Sequence, residues 1–438
     1  MKESESMSNK LIVGLDIGTT KVCAIVGQRN ENGKINILGV GSQPSLGGVM
    51  RGEVTNIAKT VDAIKGAIAQ ASKISNVEIN AVHVGIAGEH IRSFQQNGVR
   101  IRENSESEIT KSELLEMNKE QYRIAVEPGS KILHAVPQEY TIDSRFTTKE
   151  PEGMPGTKLE CKYHIVTGRV SAAKTIVKCV ENAGLTASDV IVEPIASAYA
   201  VLNEEELQTG IAIIDIGGGT TDLAIFYDGK IRHTAVIPFG GEVITSDIVE
   251  AFGILPKQAE LIKTKYGHAI VEGTRSNVLI TVPGIGDRKA KQIMERNLAH
   301  VIHARVREII LMVHDEIKMS GYMDKLNLGV VLTGGGAQLK DLGNLVEYTL
   351  GCEVKIGMPD PHLGKGLVDE VRSPMYATCI GLVLKGFEDL EPGQSDNNYK
   401  AVKKEKVKSS ENSTGFMKGF IGSFKRWIDD DQAMDDFK

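Results

Sequence analysis

Apolar and polar positions along the chain predict strands joined by glycine-rich turns. The segment Ile211–Ile216 is apolar except for Asp215, and a second apolar run follows after three glycines and two threonines. Short apolar runs separated by such a turn are typical of a strand, a tight turn and a second strand. The pattern therefore predicts a β-hairpin with a carboxylate near the end of its first strand.

The start of the chain repeats this order of residues. The apolar segment Leu11–Ile17 contains Asp16, continues into Gly-Thr-Thr-Lys, and is followed by another apolar run. Two matching hairpins far apart in sequence predict a duplicated domain in which each half supplies one turn to a shared cleft. Apolar spacing elsewhere predicts helices over 57–74, 110–126, 172–183, 298–319 and 375–387, and strands over 35–40 and 77–86.

The two turns are suited to bind phosphate. Glycines permit backbone conformations in which N–H groups converge on an anion, and threonines add hydroxyl donors. Asp16 and Asp215 are placed to hold Mg²⁺ through water. The candidate phosphate-binding residues are Gly18, Thr19, Thr20 and Lys21 in the first turn, and Gly217, Gly218, Gly219, Thr220 and Thr221 in the second.

The turns do not match the two best-known nucleotide motifs. Neither contains the Walker A pattern, and neither fits the dinucleotide fingerprint because each turn leads into a strand, not a helix. Two unrelated hairpins remain the structural alternative, although the matched pair favours a nucleotide site.

A third glycine turn follows the apolar run 328–332. The residues Gly334, Gly335, Gly336 and Gln338 predict a strand, a turn and the start of a helix. The glycines would let a flat ring lie against the backbone, so this turn is expected to hold adenosine. A tight turn before a helix is the alternative.

The order of these three motifs resembles the superfamily of actin, Hsp70 and sugar kinases. The stretches 84–91, 239–248 and 305–309 further resemble FtsA, the bacterial actin homologue of cell division. The resemblance covers residues 10–390 and implies an α/β, actin-like ATPase fold with two ribonuclease-H-like halves around a nucleotide cleft. It also implies ATP and Mg²⁺ as cofactors.

The resemblance implies a division of the chain into subdomains. A small α+β subdomain is inserted early in the first half, unlike the insertion in actin itself. The expected segments are 10–87 and 164–209 for the first core, 88–163 for the insertion, 210–246 and 298–390 for the second core, and 247–297 for its outer subdomain.

Single residues also match positions with roles in the family. Glu193 matches a carboxylate near the attacking water, as general base or water-positioning group, and a helix cap or salt bridge is the equal alternative. Glu260 and Lys263 match a helix that contacts ribose and base, although such a pair is usually a solvated face. Arg305 matches an arginine in the region that docks the C-terminal peptide of the tubulin homologue FtsZ, and an intramolecular salt bridge remains the alternative.

The end of the chain has a different composition. Residues 391–414 are polar and predict a linker. Residues 415–428 predict an amphipathic helix whose apolar face must be buried in a bilayer interface, a partner groove or the protein's own core, and the basic residues beside its aromatic side chains favour the surface of anionic phospholipid. Its apolar face and basic flanks are Phe416, Met417, Phe420, Ile421, Phe424, Trp427 and Ile428, with Lys418, Lys425 and Arg426. The tail 429–438 departs from this pattern because it is acidic, and anionic lipid would therefore repel it.

Composition and charge argue against several other classes of protein. A net charge of −6 argues against general binding of nucleic acid, and five scattered cysteines without C-x-x-C spacing indicate neither disulfides nor zinc. A reducing cytoplasm fits best. The polar residues 1–10 do not resemble a signal peptide, and no apolar run approaches the ~20 residues of a membrane span.

The resemblance, together with the helix predicted over 415–428, favours a self-assembling, ATP-binding protein that is mainly an adaptor, and it leaves a weak ATPase activity open. The resemblance implies that it anchors the FtsZ ring to the cytoplasmic face of the membrane at midcell, as a peripheral protein with other divisome proteins as partners. The alternatives are a small-molecule kinase of the superfamily and a pilus-assembly actin homologue. Neither explains the helix predicted over 415–428.

Overall fold

The computed structural model describes residues 10–390 apart from 105, 275–277, 285 and 287. The linker and the amphipathic helix predicted over 391–428, and the acidic tail, lie outside the described residues. Among the helices within them, none combines the length and the apolar character needed to cross a bilayer.

The described strands, numbered in chain order, are β1 (Leu11–Ile17), β2 (Lys21–Arg29), β3 (Ile35–Pro44), β4 (Val49–Met50), β5 (Glu53–Val54), β6 (Ala81–Ile86), β7 (Arg92–Ile101), β8 (Ser130–Ile142), β9 (Phe146–Thr148), β10 (Lys158–Arg169), β11 (Thr186–Val192), β12 (Ile211–Ile216), β13 (Thr221–Tyr227), β14 (Lys230–Ile237), β15 (Leu279–Val282), β16 (Lys291–Met294), β17 (Val330–Thr333), β18 (Val354–Ile356) and β19 (Leu363–Gly366).

The described α-helices are α1 (Ile57–Ser75), α2 (Lys111–Gln121), α3 (Val170–Asn182), α4 (Glu193–Val201), α5 (Glu204–Thr209), α6 (Gly241–Phe252), α7 (Pro256–Tyr266), α8 (Glu295–Ser320), α9 (Leu342–Leu350), α10 (Val368–Val371) and α11 (Ala377–Glu388).

Two sheets share one strand order. In the first half β1, β2 and β3 are antiparallel neighbours, and β6 and β11 extend the sheet in parallel on the other side of β1. In the second half β12, β13 and β14 are antiparallel, and β17 and β18 extend in parallel beyond β12. The repeated order confirms the duplication that the two hairpins predict.

The strands that carry the turns are almost entirely buried. Every residue of β12 is buried, and β13 is buried except at its last residue. Such continuous apolar runs belong to strands that are covered on both faces. Each turn therefore projects from the rigid centre of its half.

A four-stranded sheet, ordered β7-β10-β8-β9, forms the inserted subdomain with α2. β10 pairs with β7 and β8 along nearly its whole length, so the boundary predicted between residues 163 and 164 falls inside one continuous strand. The insertion and the first core are thus joined by a strand without a linker.

The two halves are joined where α4 crosses α11. A Cβ added to Gly381 on α11 would lie 1.7 Å from the carbonyl oxygen of Ala196 on α4. Only glycine permits this approach, since a Cβ cannot occupy that position. The crossing places the start of α4 and the start of α11 beside the phosphate turns.

Candidate nucleotide site

Both predicted phosphate turns form, and a matching hydrogen bond closes each one. The Gly18 N–H donates to the Lys21 carbonyl at 3.0 Å, and the Gly217 N–H donates to the Thr220 carbonyl at 2.9 Å. The two halves therefore present the same local structure, although the second turn has two more glycines.

The two turns face and touch each other. A Cβ added to Gly218 would lie 2.0 Å from Thr20 Oγ1, and one added to Gly219 would lie 2.4 Å from Thr19 Oγ1. A side chain at either glycine would thus separate the halves. By the same argument, a phosphate chain lying between the turns requires the halves to move apart.

Four carboxylates gather beneath the turns. Asp215 and Asp222 are paired across β12 and β13, and the pKa of Asp16 is raised by Asp215 in addition to burial. Glu193 begins α4 and packs closely on Gly85, where an added Cβ would lie 2.9 Å from its Cγ. Burial and neighbouring carboxylates raise the pKa of Asp16 to about 6, that of Asp222 to about 8, and that of Glu193 well above its usual range.

Two hydroxyls hold Asp215 in place. Ser197 Oγ donates to its Oδ2 at 2.6 Å, and Thr378 Oγ1 donates to the same oxygen at 3.2 Å. Burial raises the pKa of Asp215, and these two hydrogen bonds lower it. One helix from each side of the crossing, α4 and α11, therefore positions this carboxylate.

The ammonium of Lys21 is buried, and within the described residues it has no hydrogen-bond acceptor. Its Nζ lies 3.9 Å from the centroid of the Tyr376 ring, and its charge lowers the pKa of Asp16. The Asp222 Oδ1 is likewise buried without a donor in this part of the chain. Because unpaired buried charges are unfavourable, these atoms fit a phosphate group and its cation.

Although the four carboxylates lie near one another, no three metal-ligating side chains in the described residues are placed to hold one metal ion together. Mg²⁺ usually keeps several waters and binds through one or two carboxylates together with phosphate oxygens. Asp16 and Asp215 fit that mode of binding, which supplies charge neutralisation for the phosphates and needs no all-protein cage.

The third glycine turn lies against the second. Gly334 has φ +82°, and an added Cβ would lie 2.2 Å from Asp215 Oδ1; one on Gly336 would lie 2.4 Å from Ile216 Cγ2. Gly335 instead is exposed, with no heavy atom within 4 Å of its Cβ position. One side of its backbone is open to solvent, and binding of a planar ring there stays a prediction.

The structure after this turn differs from the predicted helix start. Residues Gly335–Gln338 form one 3₁₀ turn, and the α-helix begins only at Leu342. Gln338 is exposed, and its Nε2 lies 3.5 Å from the Gly335 carbonyl.

α7 brings Glu260 and Lys263 to the start of α6. Lys263 Nζ donates to the Gly241 carbonyl and to Thr245 Oγ1, both at 2.8 Å, and lies 2.7 Å from Glu260 Oε2. The Gly241 N–H in turn donates to the Gly217 carbonyl at 2.9 Å. The pair therefore braces the second phosphate turn, in contrast to an ion pair on a solvated face.

Arg305 on α8 forms intramolecular salt bridges, which the sequence analysis gave as the alternative to a contact with a partner peptide. Its Nε and Nη2 donate to the Asp247 carboxylate at 2.6 and 3.1 Å, and its Nη1 donates to Glu308 at 2.5 Å. A role toward a partner peptide stays a prediction, and any such role must compete with these ion pairs.

Sequence reasoning did not single out three residues that complete the site. Asp222 directly follows the second threonine pair and faces Asp215 across the hairpin, so strand pairing could have identified it. Ser197 lies one helical turn after Glu193, which is weaker sequence evidence for a place in the site. No sequence feature pointed to Thr378, because only the helix crossing brings it to Asp215.

Comparisons with known proteins agree with this architecture. The family model described as "Cell division protein FtsA" matches residues 212–381, and that described as "SHS2 domain inserted in FTSA" matches residues 88–167. The cell division protein FtsA of Pseudomonas aeruginosa is 40% identical over 389 residues, which cover 89% of this chain and 92% of that protein.

Two solved structures share the fold. The PilM–PilN type IV pilus biogenesis complex matches with a TM-score of 0.64 and 18% identity, over 86% of this chain and 98% of that chain. MreB5 of Spiroplasma citri bound to ADP matches with a TM-score of 0.50 and 16% identity, over 88% of this chain and 100% of that chain. These likenesses show the actin-like fold alone, whereas the sequence match favours cell division over the kinase and pilus alternatives. The chain belongs to the FtsA family of actin-like cell division proteins.

Proposed function

We propose that the chain binds ATP and Mg²⁺ between its halves, assembles with copies of itself, and anchors FtsZ to the cytoplasmic membrane. The observation that carries the proposal is the pair of facing turns over buried carboxylates, next to an ammonium that has no acceptor in the described residues. The ADP bound to MreB5, which shares the fold, supports the choice of ligand.

Each part of the site has a role in this proposal. The two turns and Lys21 hold the phosphates, while Asp16 and Asp215 hold Mg²⁺ through water. The third glycine turn and Gln338 border the adenine, with Glu260 and Lys263 near the ribose. Glu193 orients the water that attacks the terminal phosphate by accepting a hydrogen bond from it.

Assembly would follow from the angle between the halves. ATP that separates the touching turns fixes one cleft opening, and this makes the surface of one protomer complementary to the next. Head-to-tail contacts of this kind form filaments when they do not close into rings. A filament displays many copies of the 415–428 helix, so weak attachments to lipid add up.

Family membership supplies the division role, and the last part of the chain supplies attachment. Phe416, Phe420, Phe424 and Trp427 share one face of the predicted helix, with Lys418 and Arg426 among the basic residues beside it. An anionic bilayer surface suits such a face. The protein would act at midcell as a peripheral membrane protein, with FtsZ and other divisome proteins as partners.

Nucleotide binding is tested by calorimetry with ATP and Mg²⁺. Asp215→Ala is expected to abolish Mg²⁺-dependent binding, because it removes the carboxylate that Ser197 and Thr378 hold in the cleft. Asp62→Ala, which removes an exposed carboxylate from α1, is the matched control and should bind like the wild type. Full affinity in the Asp215 variant would refute the proposed site.

Membrane attachment is tested by co-sedimentation with anionic and neutral liposomes, with and without ATP and FtsZ. The wild-type chain should pellet with anionic lipid and carry FtsZ with it, whereas a chain lacking residues 415–428 should stay in solution. Trp427→Asp should weaken pelleting, and Tyr399→Asp, which adds the same charge to the predicted linker, should not. Unchanged pelleting after the deletion would reject the anchor.

A further inference from the structure

A small hairpin of the first half covers both phosphate turns. It is formed by β4 and β5, with Arg51 and Gly52 between them. The Gly52 N–H donates to Thr19 Oγ1 at 3.2 Å, which ties the hairpin to the first turn. A Cβ added to Gly219 would lie 2.9 Å from both N and Cα of Arg51, so the hairpin also packs on the second turn.

The backbone of Arg51 is in an unusual conformation for its residue type. Its φ is +50°, in the left-handed region that residues with a Cβ adopt rarely. Gly52 has φ +77°, so the two residues form a two-residue hairpin turn that requires positive φ at both positions, and Arg51 stands where asparagine, aspartate or glycine is usual. The contacts with Thr19 and Gly219 hold this turn against the cleft.

The guanidinium of Arg51 faces the mouth of the cleft. Arg51 lines a cavity of about 330 Å³ together with Gly218, Gly219, Phe239 and Glu242. Its guanidinium carbon lies 5.9 Å from the centroid of the Phe239 ring, and its charge lowers the pKa of Glu242 across the same cavity. An exposed cation, with one carboxylate in its neighbourhood, therefore stands beside the glycines of the second turn.

The order of contacts along the second turn indicates which part of a nucleotide would reach Arg51. The turn begins at Ile216, which touches the third glycine turn, and continues to Gly219, which touches Arg51. A nucleotide with its adenosine at the third glycine turn and its phosphates along the second turn ends at Gly219. Lys21 would lie at the floor of the cleft and Arg51 at its mouth.

We propose that Arg51 binds the terminal phosphate of ATP and is the residue by which the site distinguishes ATP from ADP. This inference rests on the proposed function, since it assigns a role within the same nucleotide site. ADP lacks the group that Arg51 would contact, so its affinity should depend little on this side chain.

The test compares the affinities of ATP and ADP, each with Mg²⁺, by titration calorimetry. Arg51→Asn removes the cation but keeps a residue that tolerates the left-handed region. The variant is expected to lower the affinity for ATP about tenfold or more and the affinity for ADP less than about threefold. Such a difference is what the loss of one charge-assisted hydrogen bond to the terminal phosphate would cause. Arg51→Lys should retain most of the preference for ATP.

The control is Leu46→Asn, which alters another exposed left-handed residue, φ +48°, in the turn between β3 and β4 and should leave both affinities unchanged. A ratio of ATP to ADP affinity that stays the same in Arg51→Asn would overturn the assignment, as would an equal loss for both nucleotides. A wild-type chain that binds neither nucleotide would instead refute the proposed function, and the inference with it.

Discussion

At the scale of single residues, the cleft concentrates negative charge that folding alone would not favour. Asp16, Glu193, Asp215 and Asp222 all have raised pKa values, with burial as the largest cause. The hydroxyls of Ser197 and Thr378 donate to Asp215, and that of Thr220 donates to Asp222. The charge of Lys21 lowers the pKa of Asp16. Because burial outweighs these contacts, the ionised carboxylates lower the stability of the chain when no cation is bound.

The pKa of Asp222, raised to about 8, leads to a pH-dependent prediction. The folded chain binds this proton more tightly than the unfolded chain, whose aspartate titrates near 3.8. Stability therefore falls as the pH rises from about 4 to about 8, because the unfolded chain releases this proton while the folded chain keeps it on Asp222. Asp222→Asn removes the ionisation and should gain stability relative to the wild type as the pH rises.

The measurement is urea unfolding of the nucleotide-free, Mg²⁺-free protein at about pH 5 and about pH 8.5. Asp62→Asn, at an exposed position on α1, serves as the control and should show no such trend. An identical difference between variant and wild type at both pH values would contradict the prediction.

At the scale of elements, the crossing of α4 and α11 links the site to the hinge between the halves. α4 contributes Glu193 and Ser197, and α11 contributes Thr378, which reaches Asp215. Gly381 sets the depth of the crossing because its missing side chain lets the Ala196 carbonyl approach. A change at this position should therefore affect both stability and the geometry of the site.

Gly381→Ala should lower the free energy of unfolding by about 1–3 kcal/mol or more, since the new methyl group would overlap the backbone of α4. Gly343→Ala, in a helix where the nearest contact of the added Cβ is an ordinary 3.9 Å, should change it by about 1 kcal/mol at most, in the stabilising direction. Chemical denaturation of both variants provides the comparison. Equal effects would show that the crossing can relax around a methyl group.

At the scale of the whole molecule, the halves meet at more places than the hinge and the turns. The inserted subdomain, which belongs to the first half, also contacts β14 of the second. Ser93 Oγ donates to the Thr234 carbonyl at 2.7 Å, and Gln138 Nε2 donates to the Ile231 carbonyl at 3.0 Å. Movement that separates the turns must therefore rearrange or rotate about these contacts.

The last prediction concerns binding of FtsZ at the outer surface of the second half. Arg305→Glu should weaken binding of the FtsZ C-terminal peptide about fivefold or more, by reversing the charge at the proposed contact. Because Arg305 is held by Asp247, the same change also breaks an internal ion pair. Fluorescence anisotropy with a labelled peptide measures the affinity.

Asp247→Asn separates the two effects. It frees Arg305 without removing it, so peptide affinity should be kept or increased if Arg305 is the contact. If both variants weaken binding equally, the loss comes from the broken internal bridge, and the assignment of Arg305 is wrong.

Sequence patterns predicted the elements better than their ends. The helix predicted over 110–126 begins as expected, because Thr110 and Glu113 form a reciprocal cap, but it ends at Gln121. The next residue, Tyr122, accepts a hydrogen bond from the Ala135 N–H through its hydroxyl oxygen. The strand predicted over 77–86 likewise starts only at Ala81, where its partner strands begin.

The sequence by itself determined the duplicated hairpins, the three glycine turns and their carboxylates. These features are local: a turn needs glycine where the backbone reverses, and a buried strand needs a continuous apolar run. Tertiary structure alone decided that the two turns touch, that Thr378 holds Asp215, and that Arg51 lies over Gly219. Those contacts join residues far apart in the chain, and their distances depend on how the two halves pack against each other, which no local pattern specifies.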